Sequence, residues 1–197
     1  MTAASLPIPL RKGAATRNRI LAEALRLFAD KGVEGTSIRD IALAVGIVDA
    51  ALYRHFRSKD EIASEVFLLH YGALAEAIAE IGEHKQSFRQ TVRQLVDHFC
   101  TLFDEQPAVF AFILLQQHDH LAGIGDEANV VETLRQIMQR AHKSGDIIVG
   151  DANVAAAMAL GTVIQPAVFK LYGRLDKPMK SYGGQLTEAV CRALGVP

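Results

Sequence analysis

The sequence is short of three things: cysteine, aromatic side chains and net charge. Two cysteines in 197 residues leave no disulfide scaffold and no Cys-rich zinc spacing. Cys100 and Cys191 both sit inside apolar helical patterns, which reads as two buried free thiols in a reducing cytosol. A formal net charge of −1 excludes a protein that coats nucleic acid by bulk attraction. The opening MTAASLPIPL lacks the basic start and long apolar core of a signal peptide, and no segment reads as long and apolar enough to span a membrane. The expected location is therefore the cytoplasm, with no membrane partner. Strand-like alternation and internal repeats are missing too. What remains is a chain that is 50% hydrophobic but only 7% aromatic, with many Ala and Leu, which suits packed helices around a sizeable core.

The charge is unevenly spread. Residues 1–60 hold ten Lys/Arg against six Asp/Glu, a net +4, which leaves −5 for the rest. A basic head on an acidic body fits local contact with phosphates and little nonspecific binding. Within that head, the run TSIRDIALAVGIVDAALYRHFRSKDEI from Thr36 to Ile62 carries the clearest pattern. Ile38, Ile41, Ala42 and Val45 recur at i, i+3, i+4 and i+7, one apolar face of a helix that Thr36 or Ser37 can cap, with Ser37 and Asp40 spaced as a capping box. Gly46 supplies the left-handed turn that ends it. A second helix, about Val48 to Phe56, turns Leu52 and Phe56 inward, and Ser58 with Glu61 forms the next capping box. Upstream, Ile20, Leu21, Ala24, Leu25 and Phe28 stripe a supporting helix that stops at Lys31-Gly32. Two short helices around a glycine turn make a helix-turn-helix, whose second helix enters the major groove of DNA.

Residues from about 16 to 62 thereby resemble the DNA-binding domain of the TetR family of bacterial transcriptional regulators. The shared features are Ile20 to Phe28 followed by Gly32, the run Thr36 to Ala42, Gly46, and Leu52 to Phe56 leading into Ser58-Lys59. The resemblance implies an all-α fold: a three-helix helix-turn-helix domain, then a helical ligand-binding and dimerisation domain. It implies a homodimeric repressor on a palindromic DNA operator, released by a small-molecule effector, with no catalysis and no metal or cofactor. Thr36, Arg39, Tyr53, His55 and Lys59 match family positions that contact the phosphate backbone, although Tyr53 and His55 also suit a structural surface role. Asp49, Ala50, Ala51 and Arg54 lie at the start and exposed face of the recognition helix, as candidates for base edges: Arg54 for guanine, and Ala50 or Ala51 for a thymine methyl. One departure stands out. The family usually begins this helix with a small polar cap, often followed by a basic residue, where this chain has Val48 and Asp49. Val48 cannot cap and Asp49 repels phosphate; Asp49 either accepts from a cytosine amino group or favours the helix start by its charge.

The expected divisions are an arm over 1–14, the reader over 15–60 and the helical body over 61–197. Arg11 and Lys12 in the arm can steady it on the DNA backbone or simply be solvated. The body begins with a helix from Lys59 to about Ile81, striped by Ile62, Val66, Leu69, Ala73, Ala77 and Ile78, which can serve as a lever between the two parts. Pro107 suits a helix start, Asp151 a cap, and Pro166 a bend in a helix running to about Tyr172. Small residues from Ala155 to Gly161, with Leu186, Ala189, Val190 and Ala193, allow close helix approach; they serve either as the dimer-forming pair that the resemblance implies or as ordinary core.

A ligand cavity is expected from Phe99, Phe103, Phe110, Phe112, Met138 and Gln165, with Gln116 and His118 as polar groups nearby; the same aromatic spacing also suits plain core. Two other functions compete. A regulator of this kind can answer to a protein partner with no small effector. A helical metal-dependent enzyme would have to use the His118-Asp119-His120 region, but alternate residues on a helix point apart and no third ligand is fixed.

Overall fold

The structure, a computed structural model, describes residues 12–120 and 129–196. Among them every regular element is helical. The chain divides into two compact units, Met1–Phe67 and Leu68–Pro197.

In the first unit, α1 (Lys12–Lys31) buries Ile20, Leu21, Ala24, Leu27 and Phe28 along one face. It ends at Gly32, whose φ of 74° is the left-handed conformation that glycine adopts without strain. Helix α2 (Ile38–Val45) is opened by Ser37, not Thr36. The Asp40 N–H donates to Ser37 Oγ at 3.1 Å, and the Ser37 N–H donates back to Asp40 Oδ2 at 2.9 Å. Gly46, at φ 75°, closes it. Helix α3 (Asp49–Leu52) is shorter than the sequence pattern predicts. Its α-turn gives way to tight turns over Tyr53 to His55, the His55 N–H and the Phe56 N–H both donating to the Leu52 carbonyl. Leu52 and Phe56 still point inward, at 0% and 2% exposure, so the apolar spacing identifies the core correctly although the helix stops early. Arg17 clamps this core by stacking 4.5 Å from the Phe56 ring centroid while pairing with Glu65.

Helix α4 (Lys59–Glu83) starts at Ser58, whose Oγ accepts from the Glu61 N–H at 3.1 Å. The Glu61 carboxylate reaches past Ser58 to the Arg57 N–H. The division between the units falls inside α4, after Phe67. Its buried face is Ile62, Ala63, Val66, Phe67, Tyr71, Ala75 and Ile78; of the predicted stripe Ile62, Val66 and Ile78 are buried, whereas Leu69 is 55% exposed, Ala73 is exposed and Ala77 is half-buried.

The second unit adds α5 (Phe88–Glu105), α6 (Pro107–His120), α7 (Val130–Ser144), α8 (Ala152–Leu171) and α9 (Gly183–Leu194). Ser87, Asn129 and Asp151 cap α5, α7 and α8 with side-chain oxygens, and Gly145 and Gly195 end α7 and α9 in the left-handed conformation. Helices α7, α8 and α9 pack in sequence, and α9 also packs against α5. Ala155, Ala156, Ala159 and Ala167 of α8 are buried there, their small side chains permitting close axes. Between α8 and α9, the short 3-10 helix Met179–Tyr182 is fastened by Asp104 of α5, whose carboxylate accepts from the Met179 and Lys180 N–H groups at 2.9 and 3.0 Å. The lengths correct one expectation: α4 and α8, at 25 and 20 residues, are long and apolar enough to cross a membrane by length and composition alone.

Candidate DNA-reading surface and ligand cavity

The reading surface forms where α2, Gly46 and α3 turn the chain back on itself. Val48, Asp49, Ala50, Tyr53 and Arg54 are exposed on and just after α3, while Ala51 and His55 are half-buried. Val48 begins the helix with 71% exposure and no side-chain cap bond, so the helix start is held only by backbone. Arg39 is exposed on α2. Lys59, at the start of α4, sits 3.8 Å from the exposed Glu34 carboxylate, a loose pair that leaves its charge available. Thr36 differs from the others. It is 2% exposed, and its hydroxyl donates to the Gly32 carbonyl at 2.8 Å, so it closes the turn between α1 and α2 and does not present its oxygen to solvent. Leu43 was not among the expected contacts; at 79% exposure on α2 it is an apolar neighbour in sequence to this surface. Its signal lay in the sequence, since position 43 falls off the Ile38-Ile41-Ala42-Val45 stripe.

The second unit encloses a cavity of about 140 Å³. Among the described residues its wall is apolar except for Tyr71 of α4 and His98 of α5, and none of the lining residues is Lys, Arg, Asp or Glu. Of the expected lining, Phe99, Phe110 and Met138 are there. Phe99 meets Phe110 edge to face, centroids 5.1 Å apart, and Phe103 packs against the same ring at 4.9 Å from behind the wall. Phe112 is buried outside the lining, and Gln165 is exposed on α8. The side chains of Gln116, His118 and His120 lie outside the described residues. Tyr71 and His98 were missed. Tyr71 follows Phe67 by four residues and precedes Leu74 and Ile78, a helical spacing that a stripe drawn through Leu69 and Ala73 hides.

Burial raises the Tyr71 phenol above its ordinary pKa, partly opposed by the Val131 and Val130 backbone, so it stays a neutral hydroxyl; it lies 3.4 Å from Asn129 Oδ1. Burial pushes the Cys100 thiol up to about 11, with Asp104 and Asp97 adding to the shift, and raises Cys191 as well. Neither is a thiolate nucleophile at neutral pH. Among the described residues, no three His, Cys, Asp or Glu side chains gather as a metal site. The arrangement thus places an exposed helix-turn-helix face on one unit and a largely apolar cavity in the other.

Comparison with known proteins agrees with this geometry. Residues 20–66 match the model for bacterial regulatory proteins of the tetR family. The transcriptional repressor KstR2 of Mycolicibacterium smegmatis is 43% identical over 53 residues, which cover 27% of this chain and 26% of that protein. The match spans about a quarter of the length of that curated relative. Solved structures cover far more. The TetR-family regulator PfmR from Thermus thermophilus superposes with a TM-score of 0.73 and 27% identity, over 88% of this chain and 97% of its own. The Bacillus subtilis regulator FadR, solved with stearoyl-CoA, gives a TM-score of 0.72 at 17% identity over 88% and 96%, a likeness of fold. Residues 20–66 thus carry the sequence of a tetR-family DNA-binding domain, and nearly nine-tenths of the chain takes the fold of a TetR-family regulator.

Proposed function

We propose that this protein is a ligand-responsive transcriptional repressor that binds a palindromic operator as a homodimer and lets go when a small apolar or amphipathic molecule enters the second unit. The observation that carries the proposal is the run of α4. The helix begins at Lys59 in the reader and supplies Tyr71, Leu74 and Ile78 to the cavity wall, so whatever presses on that wall presses on the helix that leaves the DNA-binding unit. Arg39, Tyr53, His55 and Lys59 supply the phosphate contacts in this reading, with Thr36 holding the turn behind them, and Asp49, Ala50, Ala51 and Arg54 face the bases.

The cavity narrows the effector. With no Lys, Arg, Asp or Glu among the described residues of its wall, it favours an acyl or similar hydrocarbon body whose one polar group meets Tyr71 or His98. The stearoyl-CoA held by the FadR structure is a molecule of that design, with its charge concentrated at one end. Phe99, Phe110 and Met138 would contact the hydrocarbon part. Two protomers are needed because one short recognition element covers only a few base pairs; two heads about 34–36 Å apart read successive half-sites.

Reciprocal linkage gives the test. Sheared genomic DNA is captured on the purified protein at moderate salt and sequenced, and the enriched site is titrated with acyl-CoA thioesters of graded chain length. Release of the DNA by one of them, with that thioester binding more weakly in the presence of operator by the same factor, is the expected result. Equal thioester affinity with and without operator would overturn the effector part of the proposal. Absence of any enriched site would overturn the operator part.

A further inference from the structure

We infer that the Asp49 carboxylate reads a cytosine in each half-site, accepting a hydrogen bond from the exocyclic N4 amino group in the major groove. The inference rests on the operator reading above and assigns one base within it.

Asp49 opens α3, is exposed, and has no side-chain hydrogen bond or ion pair among the described residues. Next to it in sequence are the exposed Val48 and Ala50, and one turn on stand Tyr53 and Arg54, also exposed, neither of which bonds its carboxylate. Among the described residues no guanidinium or ammonium pairs with it. A carboxylate in that position faces a surface of phosphates, which repel it, and of base edges. Ionised, it can only accept, so the groups able to satisfy it in the major groove are the amino groups of cytosine and adenine. Adenine sets its N7 acceptor beside its amino donor, where it meets the second carboxylate oxygen unfavourably. Cytosine sets a C–H there instead. The small side chains at Ala50 and Ala51 keep the helix close enough to the groove floor for so short a residue to reach. The same charge that makes this contact selective weakens binding wherever cytosine is missing, which fits a recognition element that gives up nonspecific affinity for discrimination.

The test selects binding sites from a randomised duplex library with the full chain, side by side with Asp49→Ala and Asp49→Asn, each checked for an unchanged circular-dichroism melt. The wild-type protein should return a two-fold-repeated site with one fixed C·G pair in each half. D49A should lose that preference alone, binding the wild-type site about 5- to 100-fold more weakly while binding random duplex as tightly as the wild type or more tightly. D49N should move the preference toward adenine, whose N6 and N7 an amide matches. A residue that merely favoured the helix start would weaken both kinds of DNA together when replaced, and that result overturns the inference. So does a D49A selection identical to the wild type. If the wild-type protein selects nothing, the operator reading itself fails, and the two failures are told apart by that control.

Discussion

At the scale of single residues, one charged group with a clear bearing on stability sits at a helix start. Glu132, in the first turn of α7, receives both Arg135 Nε at 2.7 Å and Arg135 Nη2 at 2.6 Å, with Gln136 Nε2 at 3.0 Å. The Arg135 hydrogen bonds, then that of Gln136, lower its pKa from 4.5 to about 2. A carboxyl held below its unfolded value stabilises the fold above that unfolded value and loses the contribution as pH falls through the folded one. Glu132→Gln should therefore melt below the wild type at pH 6, and the gap should close between about pH 4.5 and pH 2. Melting curves across that range check it; a gap that stays constant with pH would assign the effect to packing. Asp151 and Asp40, both lowered by hydrogen bonds at helix starts, add to acid sensitivity in the same direction.

At the scale of elements, the reader was legible because its signals are local. Ser37 to Asp40, Gly46 and Ser58 each act within four residues, and a capping box or left-handed glycine works the same way in any surroundings. Helix α4 was harder. It is apolar on most sides, so periodicity offers several stripes and only the neighbours of Tyr71 and Ile78 select the buried one. The cavity depends on which face of each of six helices turns inward, and Phe103, one ring behind the wall, cannot be told by spacing from Phe99 in front of it. Two substitutions separate wall from surface. Val163→Phe puts a ring into the cavity from α8 and should abolish the response to effector, whereas Gln165→Ala, two residues on and exposed, should keep that response. Isothermal titration of both variants with the releasing thioester decides it. Wild-type affinity in Val163→Phe would place the ligand elsewhere.

At the scale of the whole molecule, α8 poses the question. It is the more apolar of the two longest apolar helices, yet only 28% of its most apolar stretch is buried. Val154, Ala157, Gly161 and Phe169 stay exposed along it. In the proposed dimer this face meets its counterpart across the two-fold axis. Gly161 is the place to test that, since a Cβ built there meets no atom within 4 Å in the protomer. Gly161→Arg should fold as well as the wild type, run as a monomer in sedimentation, and bind the operator about 100-fold more weakly or worse, because two linked half-sites gain affinity that one lacks. A dimer that survives the arginine would move the interface off α8.

The two shielded thiols have a practical consequence. Cys100 and Cys191 are fully buried on α5 and α9, with pKa values raised by burial. Alkylation by iodoacetamide needs an exposed thiolate, so in the native protein it can proceed only through moments when these helices part. The chain thus carries two clocks that count openings of its second unit without any added label. Cys100 adjoins Phe99 of the cavity wall, and a molecule that fills the cavity should slow that clock by the factor by which it stabilises the closed state. Alkylation timed by mass spectrometry would then rank candidate effectors by occupancy alone, before the operator they control is known.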